Sequence, residues 1–295
     1  MKTILVLTDF TIKADHAAHY ALKLAQKVKA NILLCNIYPE PTAVPVSTHT
    51  FWSNGDNEVF EQDSLNDLAA LANRLKNLLA NDNADEFKPA IELCSKAGPL
   101  TAAINYIVAS RQVLFAVIAT HSAIDYLTFL TGNHANEIIE NANCPVLVIP
   151  YQLPFNGFQK IAFATDLAHN GTDVLHSLYH ITKYFDSEVL ITHVGMAKLA
   201  RVTEDYITKR FLCQEIGVSH YPKIKYRSVQ NKSITAGLQW LAENDDIDLL
   251  VLVHHKRNLI QKIFEPSITK KLATRFAKPM LVFPSSYERG SIPIL

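Results

Sequence analysis

The sequence carries no excess charge of either sign: Lys+Arg and Asp+Glu number 28 each. No global field therefore favours nucleic acid or an anionic membrane surface. Four cysteines (Cys35, Cys94, Cys144 and Cys213) are scattered with no C-x-x-C pair. That spacing suggests neither a thiol redox site nor a cysteine zinc knuckle, and the expected role is that of small buried hydrophobes in a reducing compartment. No apolar run reaches the roughly 20 residues needed to span a bilayer. Met1 to Leu7 reads directly as a strand, without the apolar core and cleavage site of a signal peptide, so a cytoplasmic location is expected. A G-x-x-x-x-G-K-[ST] phosphate loop is missing, as is a G-x-S-x-G nucleophile elbow. No Ser, His and acid spacing signals a triad, so no catalytic residue and no enzyme activity are expected.

What is present is a repeat. Ile4-Leu5-Val6-Leu7-Thr8-Asp9-Phe10 returns as Ile161-Ala162-Phe163-Ala164-Thr165-Asp166-Leu167, an offset of 157 from Asp9 to Asp166. Ile32 to Ile37 matches Val189 to Val194 at the same offset, and Pro145 to Pro150 matches Pro279 to Pro284 at the shorter offset of 134. The second copy has thus lost residues between its second and third strands. There the first copy has a Pro-rich loop from Pro39, running on through Phe51 and Trp52 to Asn57.

Short β-rich runs alternate with helical patterns in both copies. Ala17, Ala21, Leu24 and Val28 share one helix face, with His16, Lys23 and Lys27 elsewhere, and Ile234, Leu238 and Leu241 do the same in the second copy. Strands are expected at 2–8, 30–37, 88–94, 113–120 and 145–150, then at 159–165, 187–194, 222–229, 247–254 and 279–284. Continuous apolar runs such as Val113 to Ala119 suit strands covered on both faces. The expected fold class is α/β: two tandem Rossmann-like domains, each a five-stranded parallel sheet with helices on both faces. Domain one spans 1–150, a linker 151–158, domain two 159–284 and a C-terminal tail 285–295.

In such sheets ligands bind at the carboxyl ends of the strands. Three places in each copy meet there: the Thr-Asp after strand one, the end of strand two (Ile37, Val194), and the loop after strand four with the helix it opens. Histidine pairs at helical spacing, His16 with His19 and His176 with His180, are read as surface or cap residues rather than metal ligands. No metal site is expected.

Thr8-Asp9-Phe10-Thr11 and Thr165-Asp166-Leu167, the strand end His193-Val194, and Cys144-Pro145-Val146-Leu147-Val148-Ile149 carry a family likeness. So do the strand-four exits, Thr120-His121 through Gly132-Asn133-His134-Ala135 and Val253-His254-His255-Lys256-Arg257 through Pro266-Ser267-Ile268. In this order, twice, they resemble the universal stress protein family, with its adenine nucleotide alpha hydrolase-like fold, over essentially the whole chain. Some members bind ATP through a strand-four loop of the form G-x-x-G, nine residues, then G-[S/T]. The matching glycine positions here are Ser122, Asp125 and Gly132, then Lys256, Leu259 and Pro266, so only Gly132 is glycine.

The resemblance therefore implies a stress-response ligand-sensing or protein-interaction module that is not a strong ATP binder. If a nucleotide such as ATP or AMP does bind, it implies Asp9, Ile37, His121, Gly132, Asn133, Asp166, Val194, His255, Arg257, Ser267 and Ile268 as candidate contacts to nucleotide or anion. The alternatives are an ATP/AMP-binding sensor with slow or no hydrolysis, and a carrier of an apolar ligand or metal in an inter-domain cavity. The family likeness also implies dimer-like packing of units, which a tandem chain could satisfy internally as a pseudo-dimer. A further homodimer and an unidentified protein partner remain open at this point; nucleic acid and membrane are not expected.

Overall fold

A computed structural model describes residues 2–40, 55–80, 86–119, 133–165, 171–196, 223–253, 278–284 and 287. The first strands and helices in chain order are β1 (Thr3–Leu7), α1 (Ile12–Val28), β2 (Asn31–Tyr38), α2 (Gly55–Ala80), β3 (Ile91–Ala97), α3 (Leu100–Ser110), β4 (Val113–Ala119), α4 (Asn133–Asn141) and β5 (Val146–Ile149). There follow β6 (Lys160–Ala164), α5 (Gly171–Thr182), β7 (Glu188–Met196), β8 (Ile224–Asn231), α6 (Ile234–Asn244), β9 (Leu249–Val253) and β10 (Met280–Phe283). The strands form one sheet in the order β3-β2-β1-β4-β5-β10-β9-β6-β7-β8. Within the first five and within the second five, neighbours are parallel; β5 and β10 meet antiparallel, with Leu147 opposite Leu281. Read outward from that junction, the second half repeats the strand order of the first.

The burial pattern explains which runs became inner strands. Every residue of β5, β9 and β10 is buried, as is all of β4 except Ala119, because helices cover both faces. The outermost strands β3 and β8 instead carry Glu92, Lys96, Lys225 and Arg227, charges that discourage further edge pairing. One face packs Ile4, Val6, Ile32 and Leu34 against α1 and α2, and continues through Ile161, Phe163 and Ile191 to α5. The other packs Leu5, Leu33, Val146 and Val148 with α3 and α4, then Leu190, Leu250 and Val282 with Leu238 and Leu241 of α6. Ala17, Ala21, Leu24 and Val28 are all buried, as the helical periodicity requires.

Three sequence expectations shift. β3 lies three residues later than the expected 88–94, since Ala90 gives its N–H to the Asn31 side chain and the strand then follows β2 as far as Tyr38. Polar Ser95 and Lys96 are tolerated there because the strand is an edge. His16 is not a simple surface residue: it is half-buried, its ring edge meets Tyr151 at 5.7 Å between centroids, and its Nδ1 is buried without a hydrogen-bond partner among the described residues. Burial first, then the neighbouring His19, pushes its pKa below the usual value, against a backbone hydrogen bond at Leu153 that raises it. Finally, Cys35 and Cys144 are buried as expected, but Cys94 is only half-buried and is the register partner of Cys35; Cys213 lies outside the described residues.

The segment expected as a linker packs tightly where it is aromatic. Phe158 is buried, Phe155 meets Tyr20 of α1 edge-on at 5.0 Å, and both phenylalanines contact Phe185 beyond α5. The chain between β5 and β6 is thereby fixed to elements on either side of it.

Candidate functional site

The strand order locates the crevice. In the first half the chain moves from β1 outward to β2 and β3, then returns to β4 on the other side of β1. Such a reversal opens a cleft beyond the carboxyl ends of the two strands, here β1 and β4, and likewise β6 and β9.

Immediately after β1 the chain makes a short self-bonded turn. Thr8 continues the ladder by donating its N–H to the Cys35 carbonyl at 2.9 Å. Its hydroxyl oxygen accepts the Phe10 N–H at 3.0 Å, which supports Phe10 in the left-handed region at φ 61°. Asp9 Oδ1 accepts both the Thr11 N–H (3.1 Å) and the Thr11 hydroxyl (2.6 Å). Thr11 in turn caps α1, its hydroxyl oxygen accepting the Ala14 N–H at 3.3 Å. One carboxylate oxygen of Asp9 is thus committed to building the turn and the helix start, while the residue as a whole is exposed.

A side chain from the neighbouring strand holds the carbonyl just after the strand, and it does so in both halves. Asn36 on β2 donates from Nδ2 to the Thr8 carbonyl at 2.8 Å. At the matching position of the second half, 157 residues on, His193 Nδ1 lies 3.0 Å from the Thr165 carbonyl. A carbonyl can only accept, so His193 carries its proton on Nδ1. The backbone bond repeats as well, with Thr165 N–H on the Thr192 carbonyl at 3.0 Å. Asn36 is itself held: Ser64 of α2 donates to its Oδ1 at 3.0 Å, and Ser95 of β3 donates to Ser64 at 2.8 Å. Sequence reasoning noticed His193 but not Asn36, Ser64 or Ser95. The signal it could have used is that 36 and 193 are equivalent positions with polar side chains inside otherwise apolar strands.

Ile37 and Val194 sit one residue further, one residue short of the end of β2 and two short of the end of β7, both strands running past their expected limits. Both side chains turn into the core: Ile37 packs on the face covered by α3, and Val194 is buried against Gly237 of α6. What these positions can offer a ligand is backbone. Beyond Tyr38 the rim is closed by Gly98, whose N–H reaches the Tyr38 carbonyl at 3.0 Å and whose φ of 122° suits glycine. Asn133 opens α4. His121, Gly132, Asp166, His255, Arg257, Ser267 and Ile268 lie outside the described residues, as do Ser122, Asp125, Lys256, Leu259, Pro266, Phe51 and Trp52. Among the described residues no group of three His, Cys, Asp or Glu is placed to hold a metal ion. No helix among them is long and apolar enough to cross a membrane.

Comparison with known proteins places these observations. The sequence model described as "Universal stress protein family" matches residues 1–150. No curated protein matches the chain in sequence. Among solved structures, the chain is similar to a universal stress protein from Archaeoglobus fulgidus DSM 4304, with a TM-score of 0.66, 13% identity and 96% of each chain covered. It is also similar to a putative universal stress protein from Pseudomonas aeruginosa UCBPP-PA14, with a TM-score of 0.55 and 14% identity over 96% of this chain and 92% of that one. The cytoplasmic domain of a prokaryotic cation chloride cotransporter gives a TM-score of 0.54 at 9% identity, covering 98% of this chain and 97% of that one. At such identities the likeness is one of fold.

Proposed function

The chain belongs to the universal stress protein family, and from that premise we propose that it is a tandem stress-response module acting by binding, to a ligand or a protein partner, rather than by turnover. The observation that carries the reading is the state of the rim. Asn36 and His193 hold the Thr8 and Thr165 carbonyls just past β1 and β6, yet the strand-four loops that would complete a triphosphate site keep one glycine, Gly132, of six positions. Glycines at such positions let successive amides approach phosphate oxygens without Cβ obstruction. Pro266 has no N–H to give, and Asp125 would set a carboxylate near a polyphosphate.

On this reading domain one is 1–150 and domain two 159–284, joined as a pseudo-dimer whose seam is β5 against β10. The antiparallel pairing of Val146 to Val148 with Met280 to Val282 supports it, as does the aromatic packing of Phe155 and Phe158. The scaffold is thus preserved while the triphosphate grip is lost, as suits a module selected for recognition. Native mass spectrometry of the protein purified from its own cells tests this. The expected spectrum shows the bare chain, a bound protein or a small ligand other than a nucleoside triphosphate; one ATP per chain would overturn the proposal.

A further inference from the structure

Cys35 on β2 and Cys94 on β3 are register partners in parallel neighbouring strands, so their side chains leave the sheet on the same face. Both pack against the core on the α3 side. Neighbouring strands are about 4.8 Å apart, inside the Cα separation of about 4.4–6.8 Å that a disulfide accepts. β3 is the outermost strand, bonded on one side only, so it can yield the small approach that an S–S bond needs.

The two thiols differ in setting. Cys35 is buried, whereas Cys94 is half-buried on the edge strand. Two cations act on Cys94: Lys96 on its own strand, whose ammonium lies 3.6 Å over the Tyr106 ring of α3, and Arg111 just before β4, ion-paired with Glu92. We propose that Cys94 and Cys35 form a peroxide-reactive thiol pair, Cys94 being the attacking sulfur and Cys35 the resolving one, closing to a reversible disulfide between β3 and β2.

The supporting electrostatics agree with this assignment of roles. The neighbouring Cys35 thiol first, then the charges of Lys96 and Arg111, draw the Cys94 thiol below its ordinary range against the opposing effect of burial. Cys35 moves the other way: its hydrogen bond to Cys94 and its burial hold its proton on. The step balances as follows. The Cys94 thiolate attacks a hydroperoxide oxygen, an S–O bond forms, the O–O bond breaks, and an alcohol or water leaves after protonation. Cys94 is then a sulfenic acid and no longer the thiolate that held the Cys35 proton in place. Cys35 sulfur attacks Cys94 sulfur, its proton departs with the hydroxide as water, and two thiols plus one peroxide have given a disulfide, an alcohol and water. A bond on the edge strand lies within reach of reductant, which suits a switch.

The thiol pair does not depend on which ligand the strand-end rim takes, although the Cys35 carbonyl accepts the Thr8 N–H. The test treats the whole chain with stoichiometric hydrogen peroxide, blocks the remaining thiols, and maps peptides by mass spectrometry. A Cys35–Cys94 linkage reversed by dithiothreitol is expected. Cys35→Ser should stop at a Cys94 sulfenic acid trapped by dimedone, and Cys94→Ser should give no linkage. Before oxidation, Cys94 should alkylate at pH 7 more than about a hundredfold faster than buried Cys144, whose thiol burial pushes up to about 12. Wild-type protein in which Cys94 reacts no faster than Cys144, or oxidises without joining Cys35, would overturn the proposal whatever the variants do.

Discussion

Replacing Gly237 by alanine sets two well-scaled effects against each other and tests how α6 holds the end of β7. In an ordinary helix interior the change would stabilise by about 1 kcal/mol, since glycine sacrifices more backbone freedom than alanine. Here the new Cβ would fall 2.4 Å from Val194 Cγ1, 3.0 Å from Cγ2 and 3.3 Å from Cβ. Carbon atoms prefer about 3.5–4.0 Å, so α6 would have to retreat by roughly an ångström. Val194 cannot turn away, being β-branched, buried and fixed in a strand. Overpacking of this kind costs about 1–3 kcal/mol, and the rigidity of both partners places it in the upper half of that range. The net result is a loss of about 1–2 kcal/mol for Gly237→Ala.

Val194→Ala removes both Cγ atoms, so in that background the same change should become stabilising by about 1 kcal/mol. The two backgrounds then differ by about 2–3 kcal/mol, a coupling that only direct contact produces. Urea unfolding followed by the fluorescence of Trp240, which lies on α6, measures it. A wild-type midpoint that rises on Gly237→Ala, with no dependence on residue 194, would refute the close approach.

Other contacts in the fold carry further expected outcomes. Asn36→Ala should cost about 1–3 kcal/mol by leaving the Thr8 carbonyl without its donor and the Ser64 proton without its acceptor, and should speed hydrogen exchange at the amides of Phe10 and Thr11; unchanged exchange would show that the turn holds itself. Phe158→Ala should cost about 3–5 kcal/mol, because the ring is buried between Phe155 and Phe185; a loss under about 1 kcal/mol would mean the segment is only a tether. His16 has a folded pKa below its ordinary value of 6.5. The unfolded chain therefore takes up its proton first, and the contribution of neutral His16 is complete above pH 6.5 and lost as pH falls through the lowered folded value. The difference in stability between wild type and His16→Gln should shrink as pH falls below 6.5, and a difference that grows would refute the burial assignment.

The sheet was legible because its inner strands are continuous apolar runs and its halves share an offset that composition cannot disguise. Thr8 and Thr165, or Ile37 and Val194, could be paired from sequence without knowing what surrounds them. The edge was harder. β3 takes its limits from β2, so Ser95 and Lys96 extended a strand that hydrophobicity alone would have ended at Cys94. The pairing of Cys35 with Cys94 was hidden for a related reason: it arises from parallel register across the whole of α2, and local spacing records nothing of that. At the rim, Asp9 was visible as a candidate ligand contact after strand one. Only its bonds to Thr11 show that one oxygen already serves the turn. Asn36 passed unnoticed because an asparagine within an apolar run carries no motif, although its equivalence to His193 was there to be read.

The most direct measurement is a calorimetric titration of the purified, nucleotide-free chain with ATP and magnesium at low salt. Rims whose strand-four loops cannot wrap a triphosphate should give no saturable heat at micromolar ATP. A stoichiometric isotherm with micromolar affinity would contradict the proposed mode of action.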